Sequence, residues 1–336
     1  MRAAIVGLAG MTLEAEEAAL LRQHRPAGAI LFARNVQDPT QLAKLIASLR
    51  SVLPAHGVVA VDQEGGRVAR LRPPHWRAHP AAAQLGDLFD RDQAAGERAA
   101  WLTGALIGLD CEHVGLDVAC APVLDLRLPG AHQVVGDRAY SIDPDVVARM
   151  GRAMADGLLA AGIQPVAKHA PGHGRAAVDS HLDLPRIEAS QDLADDMRPF
   201  ALCAALPWMM TAHILYAGLD ANWPATLSDA VIRQAIRGQI GFQGVLVSDD
   251  LAMNALTGSP GERAAGAVAA GCDIALHCSG MLSDTADVLQ RCPDITDVAL
   301  ARLAAAGRMA AAALQPLDGA ALAAERDAIL GRQASA

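Results

Sequence analysis

A single segment of the chain, from Lys168 to Pro185, carries most of the side chains that suggest catalysis. It reads Lys-His-Ala-Pro-Gly-His-Gly-Arg-Ala-Ala-Val-Asp-Ser-His-Leu-Asp-Leu-Pro, which places three histidines, a lysine and carboxylates around two glycines. The chain has 28 lysine and arginine residues, and only Lys44 and Lys168 among them are lysines. A lone compact ammonium in an arginine-rich chain indicates a site that needs a point charge rather than a planar guanidinium. We therefore predict a catalytic loop here.

Proton transfer is the chemistry that the second half of this segment favours. Asp179 precedes His181 by two residues, and a carboxylate so placed orients an imidazole ring and raises its pKa toward the working pH of a general acid and base. Gly172 and Gly174 are expected to let the loop bend, because glycine adopts backbone angles that other residues avoid.

Two other types of chemistry remain open for the same segment. A zinc site would use His169, His173 and His181 as its ligands, although their spacing follows no established zinc pattern. Lys168 would alternatively form a Schiff base with a carbonyl substrate.

Acidic and basic side chains follow two further predicted strands. Asp62 and Glu64 come directly after the apolar run Val58–Val61 and precede a pair of glycines. Asp62 is placed to accept hydrogen bonds from substrate hydroxyls, whereas Glu64 is equally compatible with a loop cap. Arg70 lies in the same loop and would either pair with Asp62 or contact a substrate. Arg138 lies on a long loop after the fourth strand, where it is either solvated or functional.

Two adjacent carboxylates, Asp249 and Asp250, end the apolar run Val245–Ser248. Successive side chains of a strand point in opposite directions, so only one of the two can point inward while strand geometry persists. The other is expected to cap a helix or to accept hydrogen bonds in a loop. No histidine or aspartate at a fixed spacing supports a metal site at this pair.

The elements that position these residues alternate between strands and helices. Eight short apolar runs predict strands at Ala3–Gly7, Gly28–Phe32, Val58–Asp62, Leu116–Val123, Ile163–Lys168, Trp208–His213, Val245–Asp249 and Cys272–His277. Helical patterns lie between them at Leu13–Gln23, Pro39–Val52, Ala94–His113, Pro144–Ala161, Ser190–Ala205, Ser228–Ile240 and Pro260–Ala270. Eight strand–helix repeats predict an α/β fold, a single (β/α)8 TIM barrel, with an open doubly wound sheet as the alternative. In a barrel the carboxyl ends of all the strands share one face, so the polar residues that follow them would converge.

Composition limits the classes of function. The chain has 336 residues, 52% hydrophobic residues and a formal net charge of -9. It has no basic run, which argues against nucleic acid as a partner. Six scattered cysteines without Cys-x-x-Cys pairs predict reduced thiols. No segment approaches the roughly 18 apolar residues that a membrane span requires.

These features predict a cytoplasmic monomer of one domain over residues 1–336, with a helical tail at about 317–332. We expect a small-molecule substrate, and neither a cofactor, a metal, a nucleic acid nor a membrane as a partner.

Ordered motifs along most of the chain resemble those of glycoside hydrolase family 3, and within it the single-domain bacterial β-N-acetylglucosaminidases (β-hexosaminidases) of cell-wall recycling, the NagZ type. The matching motifs are Leu31–Asn35, Asp62–Val68, Ala121–Asp125, Gly136–Arg138, Lys168–His169, Pro171–Gly174, Asp179–His181, Pro224–Ser228 and Ser248–Leu251. Two positions depart from the family pattern. Ala170 replaces the usual phenylalanine, which predicts a packing gap that other residues fill. The loop between Gly174 and Asp179 also departs from the pattern, and here it reads Arg-Ala-Ala-Val.

The resemblance implies a (β/α)8 barrel and a retaining exo-β-N-acetylglucosaminidase acting on muropeptides. It implies that Asp249 is the nucleophile and that His181 with Asp179 forms the acid/base dyad. It also implies a set of residues that bind the terminal sugar: Asp62, Arg70, Arg138, Lys168 and His169.

Four alternatives to this assignment stay open. In the first, the N-acetyl group of the substrate itself attacks the anomeric carbon, and the pair Asp249–Asp250 orients it. In the second, phosphate replaces water as the acceptor of the sugar, because a neutral histidine base repels phosphate less than a carboxylate does. A broader β-glycosidase would use the same site, and a sugar-binding barrel without catalysis is the alternative from a different class.

Overall fold

The chain folds around a closed eight-stranded parallel barrel. A computed structural model describes residues 1–129, 134–176 and 184–331. The strands follow their order along the chain around the barrel, the last of them pairs with the first, and every neighbouring pair is parallel. The predicted (β/α)8 barrel is therefore confirmed, and the open doubly wound sheet is excluded.

All eight predicted strands are present in the barrel. They are β1 (Arg2–Gly7), β2 (Pro26–Leu31), β3 (Val58–Val61), β4 (Val118–Ala119), β5 (Gln164–Ala170), β7 (Trp208–Thr211), β9 (Val245–Asp250) and β10 (Ile274–His277). The largest difference from the prediction is β4, which keeps two of the eight predicted residues. Pro122 has no N–H to donate to a neighbouring strand, which disfavours a longer β4.

Alternating side chains of each strand serve two apolar layers. In β3, Val58 and Ala60 belong to the core inside the barrel, whereas Val59 and Val61 pack in the layer between the barrel and its helices. This alternation follows from the two-residue period of a strand. Buried on both faces, the strands read as continuous apolar runs.

The helices lie between the strands and after the last one. They are α1 (Ala15–His24), α2 (Pro39–Arg50), α3 (Ala82–Arg91), α4 (Gln93–Glu112), α5 (Pro144–Ala160), α6 (Ala194–Leu202), a π-helix (Val231–Gln239), α7 (Pro260–Ala269), α8 (Leu282–Arg291), α9 (Asp297–Ala313) and α10 (Gly319–Gly331). Single 3₁₀ turns occur at Ala33–Asn35, Gly136–Arg138 and Ala225–Leu227. Each predicted helix has its counterpart, and α3, α8 and α9 are additional.

Local sequence sets the beginning of several helices. The dipeptides Asp38-Pro39, Asp143-Pro144 and Ser259-Pro260 each supply a side-chain acceptor for an N-terminal backbone N–H and a proline at the first helical position. Such caps satisfy donors that a helix leaves unpaired. They fix where the loops at the carboxyl face of the barrel end.

A small two-stranded sheet stands outside the barrel. Its strands β6 (Arg186–Ile187) and β8 (Leu215–Tyr216) are parallel. Ala176 and Ile187, which lie on either side of residues 177–183, both belong to an apolar cluster with Tyr216. The chain is therefore held in place on both sides of this interval.

The C-terminal helix α10 lies within the predicted tail and packs against α4. Across residues 1–129, 134–176 and 184–331, no helix has the length and apolar character needed to cross a membrane.

Candidate active site

The carboxyl ends of the barrel strands enclose a cavity of about 450 Å³, a volume typical of small-molecule sites. Side chains of the inner barrel core close one end of it, and these are Ile30, Cys120, Met210, Leu276 and Cys278. Of the residues predicted for the site, six line the cavity: Asp62, Arg70, Arg138, Lys168, His169 and Asp249. They come from β5, β9 and the loops after β3 and β4, so barrel closure is what brings them together.

Lys168 sits at the centre of a charged network. Its Nζ lies 2.7 Å from Asp62 Oδ1 and 2.5 Å from Glu64 Oε1. Arg70 Nη2 donates to the other oxygen of Asp62 at 2.6 Å. Of the two possibilities left open for Arg70, the structure shows the pair with Asp62, and its side chain also lines the cavity.

Glu64 is a structural part of this site that the sequence did not identify as such. It accepts hydrogen bonds from Arg138 Nε at 2.9 Å and from Arg138 Nη2 at 2.7 Å, in addition to pairing with Lys168. The loop cap considered for Glu64 is therefore wrong, because the carboxylate bridges two cations from different elements, Lys168 of β5 and Arg138 of the loop after β4. Its signal in the sequence is the spacing of two residues from Asp62, which places both acids on one side of an extended chain.

The charges of this network stabilise one another. Burial would raise the pKa of Asp62, but Lys168 and Arg70 outweigh it and lower that pKa. Burial would likewise raise the pKa of Glu64, yet Arg138 and Lys168 lower it to about 2. Burial would lower the pKa of Lys168, and the two carboxylates raise it instead. A permanently protonated amine cannot act as a nucleophile, so the Schiff-base alternative is not supported.

We expect Glu64→Gln to lower the free energy of unfolding at pH 7 by about 3 kcal/mol. The folded protein lowers the pKa of Glu64 from 4.5 to about 2, and each pKa unit corresponds to about 1.4 kcal/mol of stabilisation of the charged form. This contribution is fully present above about pH 4.5 and is lost as the pH falls toward 2. Urea unfolding at pH 7 and pH 3 measures both effects. Glu97→Gln is the matched control, because Glu97 pairs with Arg149 at the exposed surface and such pairs contribute about 0 to 1 kcal/mol. Equal losses in the two variants would contradict the role of Glu64.

Gln63 fixes the loop that returns Arg70 to Asp62. Its buried Oε1 accepts from the backbone N–H of Arg70 at 2.6 Å and of Leu71 at 3.0 Å. Its Nε2 donates to the carbonyl of Leu71 at 3.2 Å. The amide therefore pairs with backbone groups that no helix or strand satisfies in this part of the loop.

His169 is oriented by the fully buried Asp125. Its Nδ1 lies 2.7 Å from Asp125 Oδ2, and the other oxygen of Asp125 accepts the backbone N–H of His173 at 2.7 Å. Burial would raise the pKa of Asp125, but the paired His169 and the backbone N–H lower it. The ionised carboxylate holds a proton on Nδ1 of His169 and leaves Nε2 for the cavity, 3.5 Å from Arg138.

The zinc alternative requires His169, His173 and His181. Asp125 engages only Nδ1 of His169, and burial favours a neutral His173 by lowering its pKa to about 4. His181 lies outside the described residues. Among the residues that the structure describes, no group of three histidine, cysteine or acidic side chains is arranged to hold a metal ion.

The two adjacent acids at the end of β9 have different surroundings. Asp249 lines the cavity, and one of its oxygens accepts the backbone N–H of Asp250 at 2.8 Å. Burial would raise the pKa of Asp249, but nearby His169 and this N–H lower it. Asp250 Oδ1 accepts the backbone N–H groups of Ala252 and Cys278, each at 2.9 Å. Asp250 is thus the loop acceptor expected for one of the pair, and Asp249 is an ionised carboxylate facing the cavity.

His213 lies two residues after β7 and supports the end of β9. No local pattern indicated a role for it beyond that of a polar residue at the end of a predicted strand. Its Nε2 donates to the carbonyl of Asp250 at 2.9 Å, and its Nδ1 accepts from the Thr226 hydroxyl at 2.8 Å. Since a carbonyl only accepts, the proton must be on Nε2. Thr226 belongs to the motif Pro224–Ser228, whose place in the structure is therefore behind the two acids.

Phe32 forms part of the cavity wall and is flanked by two guanidinium groups. The Arg34 guanidinium lies 5.1 Å from its ring centroid, and that of Arg70 lies 5.4 Å away. Arg34 also donates to the carbonyls of Leu8 at 2.7 Å and Cys278 at 2.5 Å. Arg34 therefore ties together the loops after β1 and β10.

The remaining predicted residues, Asp179 and His181, lie outside the described residues. The glycines before them differ from the expected hinge. Gly172 is buried and its carbonyl accepts the Tyr216 hydroxyl at 2.7 Å. A side chain at Gly174 would meet the carbonyl oxygen of Leu126 at 2.6 Å. Both glycines are required by close packing, so they hold this part of the chain rather than release it.

Comparison with known proteins gives consistent matches over nearly the whole chain. Residues 3–309 match the family "Glycosyl hydrolase family 3 N terminal domain". A curated β-hexosaminidase from Alkalilimnicola ehrlichii is 40% identical over 308 residues, covering 89% of this chain and 87% of the relative. A curated β-hexosaminidase from Bordetella avium is 37% identical over 305 residues, covering 89% and 83%.

Solved structures agree. NagZ from Neisseria gonorrhoeae, in complex with N-trifluoroacetyl-D-glucosamine, superposes with a TM-score of 0.84 at 33% identity, covering 98% of this chain and 97% of NagZ. A glycoside hydrolase family 3 β-N-acetylglucosaminidase from Paenibacillus sp. superposes with a TM-score of 0.83 at 30% identity. The match covers 94% of this chain but 62% of the Paenibacillus protein.

Proposed function

This chain belongs to glycoside hydrolase family 3 and is a glycosidase of the β-hexosaminidase type, and we propose that it is a retaining exo-β-N-acetylglucosaminidase. Its proposed substrates are muropeptides released during cell-wall recycling, such as GlcNAc-1,6-anhydroMurNAc peptides, from which it removes the terminal non-reducing GlcNAc. The observation that carries the proposal is the ionised Asp249 facing a cavity that is closed at its inner end and whose wall bears the network of Lys168.

The shape of the cavity supports cleavage at a chain end. Residues of the barrel core, including Met210 and Leu276, close its inner end. A polysaccharide strand cannot pass through such a pocket, whereas one terminal sugar can enter it.

The network around Lys168 supplies both donors and acceptors for sugar hydroxyls. Lys168 Nζ lies 2.7 Å from Asp62 Oδ1, and both side chains line the cavity. Arg70, Arg138 and His169 add further donors or acceptors on the same wall. Because their partners already fix these side chains, little conformational entropy is lost when the sugar binds.

In the proposed first step, a carboxylate oxygen of Asp249 attacks the anomeric carbon and the bond to the leaving oxygen breaks. His181 gives a proton to that oxygen, so the leaving sugar departs as an alcohol. In the second step, His181 takes a proton from water, the water oxygen bonds to the anomeric carbon, and Asp249 is released. Two displacements retain the anomeric configuration. Asp179 is assigned to orient His181 and stabilise its charged form.

Three alternatives are distinguished by their products. Phosphorolysis would yield a sugar 1-phosphate, and attack by the acetamido group would leave no adduct on the protein. A non-catalytic barrel would leave a chromogenic β-N-acetylglucosaminide intact. The cations that phosphate would require, Lys168, Arg70 and Arg138, already pair with Asp62 or Glu64, which favours water as the acceptor.

The test is product analysis with a GlcNAc-1,6-anhydroMurNAc peptide beside a plain β-glucoside, each with and without phosphate. We expect free GlcNAc from the first substrate, independent of phosphate, and much slower release of glucose from the second. Cleavage of the glucoside alone would overturn the substrate assignment, and a phosphate-dependent sugar 1-phosphate would overturn hydrolysis.

We also propose that the protein acts in the cytoplasm as a monomer whose catalytic unit is a single barrel. All six cysteines are free and buried, which suits a reducing compartment. Analytical ultracentrifugation at micromolar concentration tests the monomer, and a sedimentation coefficient of a dimer would contradict it.

A further inference from the structure

The C-terminal helix α10 contains one buried residue, and it is an arginine. Arg326 is 5% exposed, although arginine is almost never buried without a partner. The family match ends at residue 309, so α10 (Gly319–Gly331) lies beyond the matched part of the chain. The contact of α10 with the rest of the protein therefore lies outside that match.

Arg326 reaches a buried polar cluster beneath α10. Its Nη1 lies 3.1 Å from Nδ1 of His79, and Nε2 of His79 lies 3.1 Å from Asp110 Oδ2. Arg77 also pairs with Asp110, and Asp327 accepts from the other nitrogens of Arg326. A guanidinium only donates, so Nδ1 of His79 must accept and its proton must be on Nε2, directed at Asp110.

The chemistry of His79 agrees with this assignment. Burial lowers the pKa of His79, and Arg326 and Arg77 lower it further, while Asp110 opposes them. A neutral ring is the form that accepts from Arg326. The ring therefore joins three elements, namely α10, α4 and the loop between β3 and α3.

That loop is the one that carries Asp62, Glu64 and Arg70. The carbonyl of His79 accepts the backbone N–H of Gly66 at 3.0 Å. Gly66 has a φ of 53°, and a side chain there would meet Cβ of Ala81 at 2.8 Å. The two ends of the loop are thus in direct contact at Gly66. His79 therefore contacts the chain at its turn, two residues after Glu64.

We propose that α10 straps the β3–α3 loop through the contact of Arg326 with His79, and that Arg326 is a positioning residue for the sugar-binding side chains Asp62 and Arg70. The strap keeps the loop in the geometry in which both side chains line the cavity. Its kinetic consequence rests on the proposed glycosidase function, whereas its effect on the loop does not.

The experiment compares Arg326→Met with Glu325→Gln, a neighbouring change on the same helix. Glu325 pairs with Arg98 of α4 at the exposed surface, at 2.8 Å through both carboxylate oxygens. Methionine keeps the apolar stem of Arg326 and removes the donor. Hydrogen–deuterium exchange of peptides covering residues 63–71 reports on the loop without any substrate. KM and kcat for a chromogenic β-N-acetylglucosaminide report on the site.

We expect exchange at residues 63–71 to be at least about tenfold faster in Arg326→Met, and KM to rise about tenfold with kcat changed less than about threefold. Glu325→Gln is expected to match the wild type in both measurements. Arg326→Lys retains one donor for His79 and is expected to lie between the wild type and Arg326→Met.

Unchanged exchange in Arg326→Met, or an equal change in Glu325→Gln, would overturn the strap. Faster exchange with unchanged KM would overturn the positioning role. If Arg326→Met does not fold, Arg326→Lys is the deciding variant. Its exchange at residues 63–71 is expected to be about threefold faster than that of the wild type, and equal rates would overturn the proposal. Absence of turnover in the wild type would overturn the proposed function, while the exchange data would still test the strap.

Discussion

Asp249→Asn is expected to lower kcat for every β-N-acetylglucosaminide by roughly 10⁴-fold or more, the scale on which enzymes lose activity without their nucleophile. Asparagine keeps the shape of the side chain and its acceptor for the N–H of Asp250, which lies 2.8 Å from Asp249 Oδ1. It removes the negative charge that, in the proposed mechanism, attacks the anomeric carbon. Steady-state kinetics with an aryl glycoside and with a muropeptide measure the loss, which should be similar for the two.

Asp250→Asn is the matched control for this variant. Asp250 accepts two backbone N–H groups through Oδ1, and an asparagine carbonyl can accept the same bonds. We expect a loss in kcat below about tenfold, since hydrogen bonds to a charged acceptor contribute roughly 1.5–3 kcal/mol and most of that is retained. Equal losses at the two positions would contradict the assignment of Asp249 as the nucleophile.

His181→Ala is expected to slow cleavage of a natural disaccharide by about 10²- to 10⁴-fold, the usual contribution of general acid catalysis. A nitrophenyl leaving group departs without a proton, so its first step should be slowed less than about tenfold. The ratio of kcat/KM for the two substrates measures the difference. Equal loss for both would contradict the acid role.

Two further variants complete this experiment. Asp179→Asn is expected to show the same dependence on leaving group with a smaller loss, because the histidine remains but its charged form is less stabilised. Ser180→Ala is the control between them and is expected to leave the ratio unchanged. A loss for Ser180→Ala equal to that for His181→Ala would mean that the loop, and not the imidazole, determines the rate.

The strand pattern was predictable because it is local. Each barrel strand is buried on both faces, so runs such as Val58–Val61 and Val245–Ser248 are visible without knowledge of any partner. Barrel closure then places the residues after each run on one face. This is why Asp62, Lys168 and Asp249 were identified from three distant segments and are found around one cavity.

The contacts that hold the site were not predictable, because they depend on pairs far apart in the sequence. Glu64 could be seen as an acid after a strand, but its bridge between Lys168 and Arg138 requires the closed barrel. His213 and Arg326 carry no local pattern, since their partners Asp250 and His79 come from other elements. Identity of a residue in a loop does not reveal which distant element it contacts.

The glycines of the Lys168–Pro185 segment show the same limit. Glycine indicates either freedom or close packing, and the sequence alone favoured a hinge. The structure shows close packing of Gly172 against Asp196, whose Cβ would lie 2.8 Å from an added side chain. Ala170, which was predicted to leave a packing gap, is fully buried in the outer apolar layer with Phe200 and Met209.

Mass spectrometry of the protein after reaction with a 2-fluoro glycosyl donor tests the central assignment most directly. The fluorine slows both displacements, so a covalent intermediate accumulates when a carboxylate attacks the anomeric carbon. The mechanism predicts an intact-protein mass increase of one fluorosugar, located on Asp249 after proteolysis and absent in Asp249→Asn. An adduct on another residue, or no adduct together with tight inhibition by an oxazoline mimic, would contradict it.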